Sequence, residues 1–222
     1  TRQVARHQNR NCSIVSSYNT EKKEQLVGRN LDLHTQMPFF MFRANMDGAY
    51  RSIGNTLYTP YHWVTDGMNE KGLFIGVASN NDQESLCERS YPDSVSIECM
   101  HLMRIILDTC ANVDEAINLL MKIRIWFRFH MYHYLLADQS GKSVVIEVGR
   151  DHQTLVFNKT KDFQILTNSA FQLGLSTLSN RCDRYKTALT TLNRNPNPGQ
   201  TALYQAMKKL HLKGTLWTGI YD

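Results

Sequence analysis

Apolar and polar positions alternate along Cys12–Tyr18 and again through Leu26–Leu33, the period of two that turns one side of a strand toward a core. The polar stretch Asn19–Gln25 between them reads as the turn of a hairpin. Further strands are expected near Phe39–Arg43, Tyr50–Tyr58 and Leu73–Ala78. Asp66-Gly67 and Asn69–Gly72 read as the turn before the last of these, with Gly67 and Gly72 free to take positive φ. The period then changes. Val95–Cys110 places Ile97, Met100, His101, Ile105 and Ile106 near helical spacing after a Pro-Asp-Ser start. Asn112-Val-Asp-Glu115 has the form of a capping box, opening a helix to about Ile123. Tyr132–Ala137 and Ser143–Val148 form a second hairpin pattern, followed by strand-like runs at His152–Phe157 and Phe163–Leu166. Asn180–Leu192 and Gly199–Leu210 read as helices, and Gly214–Tyr221 as a last strand.

Strands, helices, strands, helices and a strand in that order predict an α+β layered domain rather than a regular βαβ sheet. Length fits one such domain, since 222 residues can bury a single substantial core. With 42% hydrophobic and 20% charged residues, the chain has enough apolar surface to pack and excludes disorder as its ground state. No apolar run approaches the roughly 18 residues of a membrane span. The net charge of +5 is concentrated in Arg2, Arg6 and Arg10 of an acid-free leader. The remainder carries no basic stripe with interleaved aromatics, so no nucleic-acid partner is expected. Five cysteines, an odd number without a C-x-x-C pair, argue against a disulfide framework or a zinc ribbon. Unpaired thiols favour a reducing, cytoplasmic interior. Cys99 and Cys110 fall in the apolar helical pattern and read as core.

Cys12 is different, because it opens a strand directly after a polar leader. Were the Asn11–Cys12 peptide bond cut, one residue would carry both a thiol and a free α-amine. The amine, titrating near about 7.7–8.0, could act as base for the thiol near about 8.5. Arg29 would favour negative charge on sulfur, and Asp32 could hold the amine. Their spacing of three on a strand directs them to opposite faces unless a bulge intervenes. The alternative reading is a half-buried strand with a surface Arg and Asp. His130 and His133 invite a metal reading, but no third ligand stands at suitable spacing. Phe39, Phe40, Met41 and Phe42 suit an acyl pocket or the core equally.

Seven segments occur together and in order: Asn11-Cys12-Ser13, Gly28-Arg-Asn-Leu-Asp32, Asp66-Gly-Met-Asn-Glu-Lys-Gly-Leu73, Leu136-Ala-Asp-Gln-Ser-Gly-Lys142, Ile146-Glu147, Leu166-Thr-Asn-Ser169 and Leu216-Trp-Thr-Gly-Ile-Tyr-Asp222. On these the chain resembles the choloylglycine hydrolase and penicillin V acylase family of N-terminal-nucleophile hydrolases, which includes related acyltransferases. The resemblance implies a four-layer αββα sandwich. It implies Cys12 as nucleophile, Arg29 beside the thiol, Asp32 as binder of the α-amine, and Asn168 as oxyanion stabiliser. The second family asparagine falls on Asn80, with Asn81 and Ser79 adjacent. The family arginine falls on Arg184, with Arg181 the alternative. No cofactor or metal is implied. The expected substrate is an N-acylated small molecule, cleaved at a linear amide through an acyl-enzyme thioester. Passing the acyl group to an amine, or merely binding acylated ligands, are the alternatives.

Residues 1–11 are expected to form a leader or propeptide remnant, and 12–222 the hydrolase domain. Family members usually continue past the Tyr-Asp segment, so two expectations stand: C-terminal strands are missing from this sequence, or a partner covers the sheet edge. A homo-oligomer is left open.

Overall fold

The computed structural model describes residues 11–33, 39–44, 47–57, 63–82, 96–127, 130–149, 153–195 and 197–222. Residues 1–10 of the expected leader lie outside them, as do Tyr58, Val95, His152 and the Pro-Asp-Ser start expected for the first helix.

Two antiparallel sheets lie face to face. In the smaller, β1 (Asn11–Asn19) and β2 (Glu24–Asp32) form the expected hairpin. They are flanked by β12 (Phe163–Leu166) and β13 (Thr215–Tyr221), in the order β12-β1-β2-β13. The larger sheet takes in β3 (Phe39–Ala44), β4 (Ser52–Leu57), β5 (Trp63–Asn69), β6 (Phe74–Ser79), β9 (Tyr132–Ala137), β10 (Ser143–Val148) and β11 (Thr154–Asn158). Its order is β11-β10-β9-β6-β5-β4-β3. A short parallel pair, β7 (Ser96–Glu98) with β8 (Arg124–Trp126), stands apart.

Helices cover both outer faces. α1 (Cys99–Thr109) packs on β5 and β6, followed by α2 (Val113–Leu120). α4 (Asp183–Asn193) and α5 (Gln200–Lys209) pack on the smaller sheet, with α3 (Leu175–Arg181) against α4. The result is the expected α–β–β–α stack. One apolar cluster, including Ile14, Leu31, Phe74, Leu135 and Val145, fills the space between the sheets and continues under α4 and α5. A second, including Ile75, Tyr134, Leu136, Leu102 and Ile106, seals the larger sheet to α1 and α2. Every residue of β9 is buried, as a central strand packed on both faces must be. Alternation along β9 sends Tyr134 and Leu136 to the helices and Leu135 and Ala137 to the other sheet. β2 and α5 approach closely at Gly28, where an added Cβ would lie 2.6 Å from Met207 of α5.

Several expectations are corrected. Asp66-Gly67 is not a turn but the middle of β5. Gly67 keeps negative φ. It is glycine because a Cβ there would lie 2.9 Å from Leu107 of α1. Gly72 does take positive φ, +76°. α1 starts at Cys99 rather than Val95, capped by Glu98, which accepts from the Met100 and His101 amides. β8 was not anticipated. The helix expected from Asn180 is instead split at Cys182 into α3 and α4. The capping box holds, with Asn112 Oδ1 accepting from the Glu115 amide at 3.0 Å. Cys99 and Cys110 are buried as expected.

Candidate active site

Cys12 is the second residue of β1, held between β12 and β2, and is 6% exposed. The β1–β2 register sets Cys12 opposite Leu31 and Ile14 opposite Arg29. Alternation therefore puts Arg29 and Cys12 on the same, inward face of the small sheet. Arg29 Nη2 lies 3.4 Å from Cys12 Sγ and donates to it.

Arg29 is wholly buried, and its counter-charge comes from the other sheet. Asp66 Oδ2 lies 3.5 Å from Arg29 Nε, with both side chains fully buried. A β-bulge makes this pairing possible. Asn55 pairs with Asp66 but Thr56 pairs with Val64, so Thr65 is an extra residue in β5. The bulge re-aims the strand: Val64 packs toward the helices, whereas Asp66 faces Arg29. Asp66 Oδ1 accepts from Asn55 Nδ2 at 2.9 Å and from Tyr221 Oη, and Oδ2 accepts from Thr65 Oγ1 at 3.0 Å. Burial pushes the Asp66 carboxyl above its ordinary range, despite Arg29 and these donors. Tyr221 is pushed strongly upward by burial and by Asp66. Burial alone would lower Arg29, but the negative partners Cys12 and Asp66 outweigh it and the net direction is up.

Two other expected residues meet around the backbone of Cys12. The Cys12 nitrogen donates to Asn168 Oδ1 at 2.7 Å. Arg184 Nη1 donates to the Cys12 carbonyl and, at 3.0 Å, to Ser13 Oγ. Its Nη2 donates to Asn168 Oδ1 at 2.8 Å. Arg181, the alternative, is exposed at the end of α3. Asn168 Nδ2 donates to the Ser79 carbonyl at 2.8 Å.

Asp32 pairs with Asn11 across β1–β2. Its Oδ1 accepts from Thr215 Oγ1, and its buried Oδ2 has no hydrogen-bond partner among the described residues. Burial raises its carboxyl, against the pull of Thr215, Arg184 and Arg29. The opposite strand, β13, has a register shift between Thr215 and Trp217. Cys12, Arg29 and Asp32 all border one narrow cavity of about 50 Å³. Its other walls are mostly apolar, including Leu31, Leu57, Trp63, Met100 and Tyr132.

Asn80 is placed differently. Its Nδ2 donates to Glu147 Oε1 at 3.2 Å, and it is Ser79, not Asn80, that borders the cavity. The Asn81 amide donates to the Asn168 carbonyl at 2.9 Å. Met41 is 72% exposed and Phe42 packs toward α1, so neither lines the cavity. The side chains of Phe39 and Phe40 lie outside the described residues. His133 is not placed as a metal ligand, since both ring nitrogens already have protein partners.

Sequence reading missed Asp66 and Tyr221. Both stand in the quoted segments, but no spacing signal ties Asp66 to Arg29 across two sheets. Within Asp66–Leu73 the chemistry divides by residue. Asn69 is structural: its Nδ2 donates to the Leu107 and Cys110 carbonyls at 3.0 and 2.8 Å, anchoring the end of α1.

This stack, with a cysteine at the head of a central strand and its nitrogen facing an asparagine, is the N-terminal-nucleophile hydrolase fold. Solved structures bear out the fold. A penicillin V acylase from Agrobacterium tumefaciens is 22% identical with a TM-score of 0.69, covering 95% of this chain and 80% of its own. A conjugated bile acid hydrolase from Clostridium perfringens matches in two variants, at 16% and 15% identity and TM-scores of 0.70 and 0.72, each covering 89% of this chain and 78% of its own. No curated protein matches the chain. A family model described as acyl-coenzyme A:6-aminopenicillanic acid acyl-transferase matches residues 19–222. The chain belongs to that family, within the choloylglycine hydrolase and penicillin V acylase group.

Proposed function

We propose that this protein is a cysteine amidohydrolase that cleaves the linear amide of an N-acylated small molecule. The observation that carries the reading is Arg29 Nη2 at 3.4 Å from Cys12 Sγ, both on an apolar cavity. Family membership supports it. The resemblance supplies the step that frees the Cys12 nitrogen, cleavage of the Asn11–Cys12 bond.

The freed α-amine takes the thiol proton as sulfur attacks the substrate carbonyl carbon. Asn168 Oδ1 and Asp32 Oδ2, which has no hydrogen-bond partner among the described residues, are acceptors suited to hold that amine. Negative charge develops on the carbonyl oxygen, where Arg29 and the second amide hydrogen of Asn168 Nδ2 are the available donors. Fixed donors of this kind are worth about 3–4 kcal/mol each. The C–N bond then breaks, the leaving nitrogen takes the proton, and a thioester remains on Cys12. Water attacks the thioester and gives its proton to the amine. The carboxylic acid leaves and the thiol is restored. The apolar walls suit the acyl chain. Arg184 orients the Cys12 backbone, and Asn80 contributes through Glu147.

A second reading, transfer of the acyl group to an amine, is favoured by the acyl-transferase description of the matched family. Intact mass combined with an N-acyl amide panel tests the proposal. Loss of residues 1–11 and turnover that vanishes in Cys12→Ala are expected. A retained leader without turnover would overturn it. Added amine acceptor separates the readings by product.

A further inference from the structure

We propose that His133 and Glu147 are positioning residues of this site, a buried imidazolium–carboxylate pair that fixes the turn carrying Asn168. The proposal rests on the amidohydrolase reading above.

Alternation directs both side chains to the inter-sheet face. His133 shares the parity of Leu135 on β9, and Glu147 that of Val145 on β10. Both side chains are wholly buried, with His133 Nδ1 at 2.9 Å from Glu147 Oε1. His133 Nε2 lies 2.7 Å from the Thr167 carbonyl oxygen. A carbonyl only accepts, so Nε2 carries a hydrogen. Glu147 Oε1 also accepts from the Phe171 amide at 2.7 Å and Asn80 Nδ2 at 3.2 Å, and Oε2 accepts from the Gln172 amide at 3.2 Å. A carboxyl group facing three other N–H donors is an acceptor throughout, so Nδ1 carries the second hydrogen and the ring is cationic. The direction of the Glu147 pKa agrees. Burial would raise it, but His133 and the two amides bring it below the ordinary range.

The pair grips the 167–172 turn at both ends. His133 holds the Thr167 carbonyl, and Glu147 holds the amides that open the 3-10 turn Phe171–Leu173. Asn168 lies between these points, with its carboxamide on Cys12 N, Arg184 and Ser79. Two further groups brace the turn: Asp82 accepts from the Ala170 amide at 3.1 Å, and Cys182 Sγ donates to Thr167 Oγ1 at 3.4 Å. Neither His133 nor Glu147 borders the cavity. They act through Asn168, not on substrate.

The test compares Glu147→Gln and His133→Gln with the unaltered protein. The latter keeps an N–H donor for the Thr167 carbonyl and serves if the former fails to fold. In both, the Phe171 and Gln172 amides should exchange with deuterium at least about tenfold faster. On an N-acyl amide the unaltered protein hydrolyses, kcat should fall about ten- to hundredfold with KM within about twofold, below the full loss of an oxyanion donor. Alkylation of Cys12 needs no oxyanion donor and should change less than about twofold. Glu147→Asp should recover part of kcat. Unchanged kcat, or a raised KM at constant kcat, would overturn the proposal, as would unchanged exchange. Nitrogen-15 shifts of a neutral His133 ring in the unaltered protein would overturn it without any variant. If the unaltered protein hydrolyses no amide, the functional reading fails, and exchange with the ring shifts alone judges the pair.

Discussion

Among the described residues, two buried pairs of opposite charge type lie between the sheets, and they are finished differently. At His133–Glu147, both ring nitrogens have partners and the carboxylate accepts from three further donors. At Arg29–Asp66, the carboxylate is equally well served, but Arg29 Nε and Nη1 make no hydrogen bond among the described residues. Leaving buried donors unmet costs stability. The cost falls at the charged group that donates to Cys12 Sγ. A completed pair holds structure in place, whereas an incomplete one keeps donor capacity for charge that arrives later. On the proposed function, the contrast separates scaffold from chemistry within a single core.

The largest effect should come from removing the counter-charge of the incomplete pair. Asp66→Ala leaves Arg29 buried without a carboxylate and should destabilise by about 3–5 kcal/mol in urea unfolding. A loss under about 1 kcal/mol would break the comparison, because Arg29 would then not depend on Asp66. Arg29→Met should cost less, about 1–3 kcal/mol, since Asp66 keeps Asn55, Thr65 and Tyr221 as donors. Its rate of amide hydrolysis should nevertheless fall at least about a hundredfold.

Acidity sharpens the comparison further. Asp66 is raised, so the folded state keeps a proton that the unfolded chain has released. Its stabilising contribution is present below the ordinary carboxylate range and is lost as pH rises through the folded pKa. Glu147 is lowered, so its contribution is present above that range and is lost as pH falls through the folded pKa. Urea midpoints taken from about pH 3 to 8 should show opposite trends. The advantage of the unaltered protein over Asp66→Asn should shrink as pH rises, and its advantage over Glu147→Gln should shrink as pH falls. Parallel trends would refute the assignment. The smallest effect belongs to Tyr221→Phe, which removes one donor to Asp66 and should cost about 1 kcal/mol by the same unfolding assay.

Much of the architecture was legible from period alone. The β1–β2 hairpin, the buried β9–β10 pair and the capped start of α2 all follow from local patterns. Cys12 and Arg29 were legible through ordered segments and Arg184 through the family resemblance they support, and the structure brings all three together. Asp66 was not, because Asp-Gly beside Asn-Glu-Lys-Gly has turn composition, and only a bulge at Thr65 aims it at a guanidinium on the other sheet. Residue type suggested a metal for His133. Its actual partners, Glu147 and the Thr167 carbonyl, are set by strand pairing and by a distant turn. Asn80 was placed by adjacency to a motif, where a slip of one residue decides whether a side chain meets the cavity or Glu147. Tertiary pairing, which no local window contains, accounts for each of these.

The hydrogen bond from Cys12 to Asn168 spans 156 residues of sequence. At roughly 5–20 residues per second of synthesis, about 8 to 30 s separate the emergence of the thiol from that of its asparagine. Arg184 and the strand bearing Tyr221 arrive later still. The Cys12 thiol therefore emerges well before the groups that surround it in the folded protein. The small sheet is likewise a late assembly, closed only when β12 and β13 have joined the early hairpin of β1 and β2.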